Sequence, residues 1–213
     1  RRVLFRSTTM KQTIDHCQFI DAEDGARYRE EGAWLDLTLF DYLETNAKKN
    51  PEREALVDPA NKLSYLQSAP RRLRWKDLLV EVEALCLLLK QQGVTEGDVV
   101  MLQLPNTWEA VASLFAITRL GAIVSPISVQ SREAELSYAI GCLSPVGFIC
   151  SRNYRSFDHV SFLRNQIPDF NGFILAIEDF PDLVARSALE QGDGATHDLH
   201  PNPDNIATIC WTS

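Results

Sequence analysis

The sequence lacks the short motifs that identify several large enzyme classes. Neither the dinucleotide-binding motif GxGxxG nor the nucleotide-binding loop GxxxxGK[ST] occurs, and the ten glycines are scattered along the chain. The GxSxG turn that presents a serine nucleophile is also absent. These absences disfavour Rossmann-type NAD binding, P-loop hydrolysis and the common serine-hydrolase mechanism.

Long apolar runs and cysteine pairs are missing as well. No stretch approaches the roughly 18 consecutive apolar residues of a membrane-spanning helix, and the N-terminus lacks the apolar segment of a secretory signal. The five cysteines are an odd number without CxxC spacing, and four lie in apolar surroundings. This usage is typical of free thiols in a reducing compartment, so we expect a cytoplasmic protein.

Positive charge is also scarce. The formal net charge is −8 and the pI is about 5.0, which disfavours nucleic acid and anionic membranes as partners. One short basic cluster occurs at Arg71, Arg72 and Arg74, and a solvated loop explains it better than a polyanion site. The 213 residues are 45% hydrophobic and 23% charged, an ordinary globular composition.

The first part of the chain is less regular than the rest. We interpret residues 1–37 as an irregular lead-in with one short helix, and residues 1–7 as a candidate for non-native sequence. Thr38 and Asp41 then predict the start of a helix that ends at Asn50. We place residues 38–213 in one composite domain.

From residue 54 onward, apolar segments of strand and helix periodicity alternate. The predicted strands are 54–57, 63–66, 73–75, 98–104, 122–126, 146–150, 173–177 and 206–211. The predicted helices are 76–92, 107–120, 132–142, 157–166 and 181–189, and residues 191–195 resemble a linker. This alternation predicts an α/β fold whose mostly parallel, doubly wound sheet has helices on both faces.

The predicted last strand leads to the end of the sequence. Ile206 to Trp211 form a continuous apolar run rich in β-branched and aromatic residues, which predicts a buried strand. Thr212 and Ser213 follow it. Ligands of open α/β sheets bind beyond the carboxyl ends of the strands, so these two hydroxyl residues are candidate ligand-binding residues.

Other candidate reactive residues have simpler structural explanations. His197 and His200 have metal-ligand spacing but no partners, and an exposed loop explains them better. The adjacent His16 and Cys17 make a poor nucleophilic pair. His159, on a predicted helix, is better explained as a surface or half-buried structural residue than as a general base.

Two residues after the strand 98–104 are further candidates for ligand contact, but both have simpler structural explanations. Asn106 is explained by a turn, and Trp108 by packing of an aromatic ring at the start of a helix. Thr107 is the predicted N-cap of that helix.

Four segments in the same order resemble the adenylate-forming (AMP-binding) superfamily. They are Leu73 to Leu78, Gly97 to Asn106, Arg119 to Pro126 with the helix start at 132–136, and Asp204 to Ser213. The last is similar to the strand that enters the family's glycine-rich phosphate loop. Together they cover about residues 27–213. Tyr28 to Trp34 and Tyr154 to Asp158 resemble the aryl-acid and the cyclic- or medium-chain acid CoA ligases.

The resemblance implies the N-terminal part of the large domain of an acid-CoA ligase, with residues 38–213 ending where the phosphate loop begins. Such an enzyme joins a carboxylic acid to ATP, giving an acyl-adenylate and pyrophosphate, and then transfers the acyl group to CoA, with Mg²⁺ on the phosphates. The resemblance implies that Thr212 and Ser213 help to hold the ATP phosphates, and it carries over no catalytic residue and no metal ligand.

The resemblance leaves two alternatives open. The acyl group could pass to a carrier protein instead of CoA, or the chain could be a non-catalytic binding module on the same scaffold. As the N-terminal part of an acid-CoA ligase, the chain alone is expected to be inactive, because the family's other functional segments lie beyond residue 213. We also expect the isolated chain to aggregate.

Overall fold

The computed structural model describes residues 21–180 and 199–211. The helices are α1 (Ala22–Glu30), α2 (Leu39–Lys49), α3 (Trp75–Gln91), α4 (Trp108–Arg119), α5 (Glu133–Leu143) and α6 (His159–Gln166). The strands are β1 (Glu54–Val57), β2 (Arg72–Arg74), β3 (Val99–Gln103), β4 (Ile123–Pro126), β5 (Gly147–Cys150) and β6 (Phe173–Ala176). The predicted helix 181–189 and linker 191–195 lie outside the described residues.

The main sheet has four parallel strands in the order β4-β3-β5-β6. Helices α4, α5 and α6 connect consecutive strands, and parallel strands require such crossovers. The sheet is therefore the predicted doubly wound α/β type. β1 and β2 form a separate antiparallel pair.

Helices cover both faces of the sheet, as the alternation of buried residues along β3 shows. Val100 and Leu102 belong to the apolar cluster formed with α3 and α4. Met101, between them, packs in the second cluster with residues of α5 and α6. All five residues of β3 are buried, because a central parallel strand is covered on both sides.

The helix boundaries follow local chemistry at two places. Thr38 and Asp41 form the predicted capping box of α2, with the Thr38 N–H donating to Asp41 Oδ2 at 2.6 Å. After α4, Gly121 has a φ of 70°. A side chain is strained in that conformation, and a Cβ there would lie 3.0 Å from Glu96 Cγ. The glycine allows α4 to turn directly into β4.

The predicted strand at residues 63–66 is wrong. The structure has a 3₁₀ helix at Lys62–Ser64 instead. Along the run, Leu63 (64% exposed) and Ser64 are both exposed and Leu66 is buried, so neighbouring residues do not alternate as they would across a sheet. The turn directs Lys62 into the interior, where its ammonium group has carboxylate partners. The apolar pattern of four residues cannot indicate that the neighbouring Lys62 has buried carboxylate partners elsewhere in the fold.

Among the helices in residues 21–180 and 199–211, none combines the length and the apolar character needed to cross a bilayer.

Candidate functional site

The last described segment, residues 206–211, runs parallel to β4. Val124 donates its N–H to the carbonyl of Ala207, and Ile209 donates its N–H to the carbonyl of Val124, both at 3.0 Å. The segment extends the sheet on the outer side of β4 and brings Trp211 to the carboxyl edge. Thr212 and Ser213 follow Trp211 but lie outside the described residues, so their role remains a prediction.

The predicted burial of residues 206–211 is wrong. None of the six is buried, and Thr208 and Cys210 are exposed. The segment makes one isolated bridge, between Val124 and Thr208, instead of a full strand. Ile209 and Trp211 pack on the α5 side of the sheet, whereas no described element covers Thr208 and Cys210 on the opposite side. An apolar run predicts a strand, but burial depends on what lies against both of its faces.

One side-chain hydrogen bond attaches this segment to the sheet. The indole N–H of Trp211 donates to Ser125 Oγ at 3.0 Å, and Ser125 is fully buried in β4. The Trp211 ring also meets the Tyr138 ring of α5 edge-to-face, with 6.1 Å between centroids. These contacts fix the residue that immediately precedes Thr212.

The loop after β4 is held by two buried side chains from neighbouring elements. Gln103, at the end of β3, donates through Nε2 to the carbonyls of Ser128 and Ser131 at 3.0 and 3.1 Å. His159, the first residue of α6, places Nε2 3.0 Å from the carbonyl of Val129. A carbonyl only accepts, so His159 carries its proton on Nε2. The loop is therefore fixed against the carboxyl edge.

His159 has a structural role but is more deeply buried than predicted. The residue is 1% exposed, although a surface or half-buried position was expected. Its ring lies 4.8 Å from the Phe157 ring, centroid to centroid. Burial lowers the pKa of His159, and the hydrogen bond to Val129 opposes that effect. The neutral imidazole is thus the form that fits this site.

The N-terminus of α4 is capped in a way that the local sequence does not predict. Thr107 occupies the N-cap position, but its side chain makes no cap and its buried Oγ1 has no partner in the described structure. Instead, Asp58 Oδ1 accepts the N–H of Trp108 at 2.8 Å. Thr107 thus lies at the predicted N-cap position, but the hydrogen bond to the helix N-terminus comes from a carboxylate distant in sequence and not from the Thr107 side chain.

A fully buried lysine joins this cap to α4. Lys62 Nζ lies 2.8 Å from Asp58 Oδ2, 2.7 Å from Glu109 Oε1 and 2.9 Å from Glu109 Oε2. Lys62 is 0% exposed, and both carboxylates are buried. The ammonium group balances one of the two negative charges in an interior where unpaired charges are costly. Sequence reasoning missed this network, because Glu109 is 47 positions from Lys62.

Carboxylates already occupy two of the helix N-termini at this edge. Asp58 caps α4, and Asp158 Oδ1 accepts the N–H of Ser161 in the first turn of α6 at 3.0 Å. Helix N-termini commonly bind phosphate, but a bound carboxylate blocks the N–H groups and repels an anion. The N-termini of α4 and α6 are therefore poorly suited to bind a phosphate group.

Three buried polar atoms at the carboxyl edge have no hydrogen-bond partner in the described structure: Gln103 Oε1, Thr107 Oγ1 and His159 Nδ1. Buried groups of this kind normally bind water, protein or ligand. The edge is thus suited to polar molecules. Within residues 21–180 and 199–211, however, no group of three or more His, Cys, Asp or Glu side chains is arranged to hold a metal ion. His197 and the pair His16 and Cys17 lie outside these residues.

The four described cysteines are free, and the two buried thiols are poor nucleophiles. Burial raises the pKa of Cys86 to about 12 and also raises the pKa of Cys150. Both thiols therefore remain protonated near neutral pH and behave as small apolar side chains. Cys142 and Cys210 are also free.

Trp108 and the basic cluster both have the expected structural roles. Trp108 is 6% exposed and packs in the main core, while the Arg71 guanidinium lies 4.5 Å from its ring centroid. Arg71 also pairs with Glu81 at 2.8 Å, and Arg72 pairs with Glu54 at 2.6 Å. The cluster is therefore largely neutralised by nearby carboxylates.

Comparison with known proteins gives the same family as the motifs. Residues 43–213 match the family model described as "AMP-binding enzyme". The chain is 27% identical to a medium-chain fatty-acid–CoA ligase of Escherichia coli K12 over 99% of this chain and 36% of the relative. It is 29% identical to salicyl-AMP ligase / salicyl-S-ArCP synthetase of Mycobacterium tuberculosis over 70% of this chain and 25% of the relative.

A solved structure supports the fold. The apo structure of Mycobacterium smegmatis MbtA matches with a TM-score of 0.71 and 24% identity, covering 90% of this chain and 34% of that chain. This chain thus spans about a third or less of the length of these three proteins. Because the family model covers most of it, the chain belongs to the AMP-binding enzyme family.

Proposed function

We propose that this chain is the N-terminal part of an ATP-dependent ligase that activates a carboxylic acid. In the proposed reaction the acid carboxylate attacks the α-phosphate of ATP, giving an acyl-adenylate and pyrophosphate. The thiol of CoA then displaces AMP, giving a thioester. The observation that carries the proposal is the family match over residues 43–213, whose last described segment leads to the carboxyl edge of the sheet.

The proposal assigns phosphate binding to Thr212 and Ser213. Asp58 and Asp158 occupy the N-termini of α4 and α6, which supports a separate phosphate loop beginning after Trp211. Mg²⁺, when bound with ATP, would reduce the negative charge of the phosphates. We assign no metal ligand within this chain. Residues 38–213 are then the first part of the AMP-binding domain, and residues 1–37 its lead-in.

CoA is the proposed acyl acceptor. The relative that aligns with 99% of this chain is named a medium-chain fatty-acid–CoA ligase. The alternative acceptor is a carrier protein, because another relative is named a salicyl-S-ArCP synthetase. We also propose a cytoplasmic location, supported by the four described cysteines, all of which are free.

The test uses the complete product of the gene that contains this chain. We expect acid-dependent exchange of pyrophosphate into ATP with a panel of medium-chain and aryl acids. Addition of CoA should then give an acyl-CoA thioester. Exchange without transfer to CoA, but with transfer to a carrier protein, would favour the alternative. Absence of exchange and of ATP binding would leave only a non-catalytic binding module.

The isolated chain, residues 1–213, is expected to show no exchange above background under the same conditions. The proposal places only the first two phosphate-binding residues, Thr212 and Ser213, in this chain and assigns it no metal ligand, whereas transition-state charge in such reactions must be stabilised by a full set of positioned groups. The complete gene product serves as the positive control. Turnover by the isolated chain at a rate near that of the complete protein would contradict this prediction.

A further inference from the structure

Ser125 places a hydroxyl group inside an otherwise apolar part of the sheet. It follows Val124 in β4 and is 0% exposed. A hydroxyl group in such a place is costly unless it has a hydrogen-bond partner. Trp211 provides one, because its indole N–H donates to Ser125 Oγ at 3.0 Å across 86 positions of sequence. Neither residue therefore has a purely local explanation.

Trp211 is also held by packing on the α5 side of the sheet. The side chain contacts the apolar cluster that contains Met101 and Leu136, and also the cluster that contains Val99 and Ile123. The Tyr138 ring meets it at an interplanar angle of 68°. An aromatic ring with one directional hydrogen bond and apolar contacts on the sheet side has a well-defined orientation even where part of it is exposed.

The hydrogen bond specifies the register of the last segment. The backbone of residues 206–211 is joined to β4 by one bridge, at Val124 and Thr208. One bridge between the backbones specifies the register of the two segments only weakly. A slip of one residue would turn every side chain of the segment to the opposite face of the sheet. Such a slip would remove Trp211 from Ser125 and expose the indole ring on the uncovered side. The side-chain bond therefore discriminates between the two registers.

We infer that Ser125 and Trp211 are a positioning pair that holds the start of the nucleotide phosphate loop in its binding geometry. The inference rests on the proposed function, in which Thr212 and Ser213 contact the phosphates. Because Trp211 directly precedes Thr212, fixing the indole ring fixes where the loop begins. The start of the loop therefore loses its conformational entropy when the protein folds and does not lose it again when the nucleotide binds.

The test measures the affinity of the complete gene product for MgATP by titration calorimetry. The variants are Ser125→Ala, Trp211→Phe and the double variant. Each single change removes the hydrogen bond, and we expect each to weaken MgATP binding about 5- to 10-fold. The double variant should bind about as weakly as either single variant, because both changes remove the same bond.

Matched controls separate this role from general effects of the substitutions. Ser113→Ala removes a buried hydroxyl of α4 that has no partner in the described structure. Trp34→Phe changes a tryptophan that is 42% exposed in the lead-in. Both controls should bind MgATP as the wild type does. The melting temperature of every variant is measured in parallel, so that loss of folding is recognised.

The outcomes distinguish the inference from the proposed function. If the wild type binds MgATP and the Ser125 and Trp211 variants bind equally well, the inference is overturned and the proposed function stands. Lower melting temperatures with unchanged affinity would likewise show a merely structural role. Additive losses in the double variant would also overturn the inference, because the shared bond would not be their cause. A wild type that neither binds MgATP nor catalyses exchange would overturn the proposed function, and the inference with it.

Discussion

The ammonium group of Lys62 is the cation that pairs with the buried carboxylates of Asp58 and Glu109 near α4. Replacing it in Lys62→Met keeps most of the side-chain volume but leaves Asp58 and Glu109 buried without their cation. We expect the free energy of unfolding to fall by about 3–5 kcal/mol, the usual cost of removing one partner of a buried ion pair. The free energy of unfolding is measured by urea denaturation of the complete gene product, monitored with a spectroscopic probe attached within the residues of this chain.

The control for Lys62→Met is Lys48→Met on α2. Lys48 pairs with Glu44 at 2.9 Å, but its side chain is 69% exposed. Exposed pairs four residues apart on a helix contribute only about 0.3–0.5 kcal/mol, so this variant should unfold almost as the wild type does. Equal losses from the two substitutions would show that burial does not decide the importance of Lys62.

His159 should make stability depend on pH in mildly acidic solution. Burial lowers its pKa in the folded state below the ordinary value of 6.5, so the unfolded chain takes up the proton first as the pH falls. The stabilisation that the neutral ring contributes to the free energy of unfolding is complete above about pH 6.5 and is lost progressively below it. Thermal melts between pH 7.5 and 5 should therefore show a falling melting temperature.

The variant His159→Gln tests whether this ring causes the effect. Glutamine can still donate a hydrogen bond toward the carbonyl of Val129 but does not titrate. Its melting temperature should fall less than that of the wild type over the same pH interval. Parallel curves for the two proteins would assign the pH dependence to other groups.

Single-residue environments were the least predictable part of the site. Trp108 was correctly predicted to pack at the start of a helix, because aromatic burial follows from local pattern. The carboxylate of Asp58 reaches that same helix from 50 positions away, and Ser125 finds its partner 86 positions away. Local patterns cannot predict such pairs, because they form only after strands and helices have packed.

Two threonines that occupy the same helix position have different roles. Thr38 caps α2 through its side chain, whereas Thr107 precedes α4 with a buried hydroxyl that has no partner in the described structure. We expect Thr38→Ala to lower the free energy of unfolding by about 1 kcal/mol, the usual value of a helix cap. Thr107→Ala should cost less than Thr38→Ala, because Asp58 already caps α4.

Chemical denaturation of the two variants provides the comparison, and each serves as the control for the other. Both substitutions remove the same atoms from an N-cap threonine, so the two variants differ only in the surroundings of the removed side chain. A larger loss for Thr107→Ala than for Thr38→Ala would contradict the remote cap. It would show that the Thr107 hydroxyl binds a group that stabilises α4.

Helices and central strands were predictable from periodicity, whereas isolated short segments were not. The predicted helix 76–92 corresponds to α3, and the strand 98–104 contains β3. Both have long, regular apolar patterns. The segment 63–66 is too short for its period to separate a strand from a turn, and its geometry is decided by the buried ammonium of Lys62. The segment 206–211 has the expected direction but not the expected burial.

The exposed apolar surface of this chain determines how it should behave alone. The structure leaves large apolar side chains between 42% and 54% exposed around the start of α2: Trp34, Leu35, Leu37, Leu39 and Tyr42. On the outer side of β4, Thr208 and Cys210 lie on a face that no described element covers. Exposed apolar patches and weakly paired sheet edges favour association between molecules.

We therefore expect the polypeptide of residues 1–213 to form soluble oligomers or aggregates when it is produced alone, and to bind an apolar dye such as ANS. The complete gene product, measured at the same concentration, should elute as a defined species in size-exclusion chromatography with light scattering and bind less dye per molecule. This difference follows from the proposed function, in which this chain is the first part of a longer domain whose further elements would cover the segment 206–211 and pair its outer edge. A monodisperse isolated chain with one cooperative melting transition would show that the described elements already form a self-sufficient core.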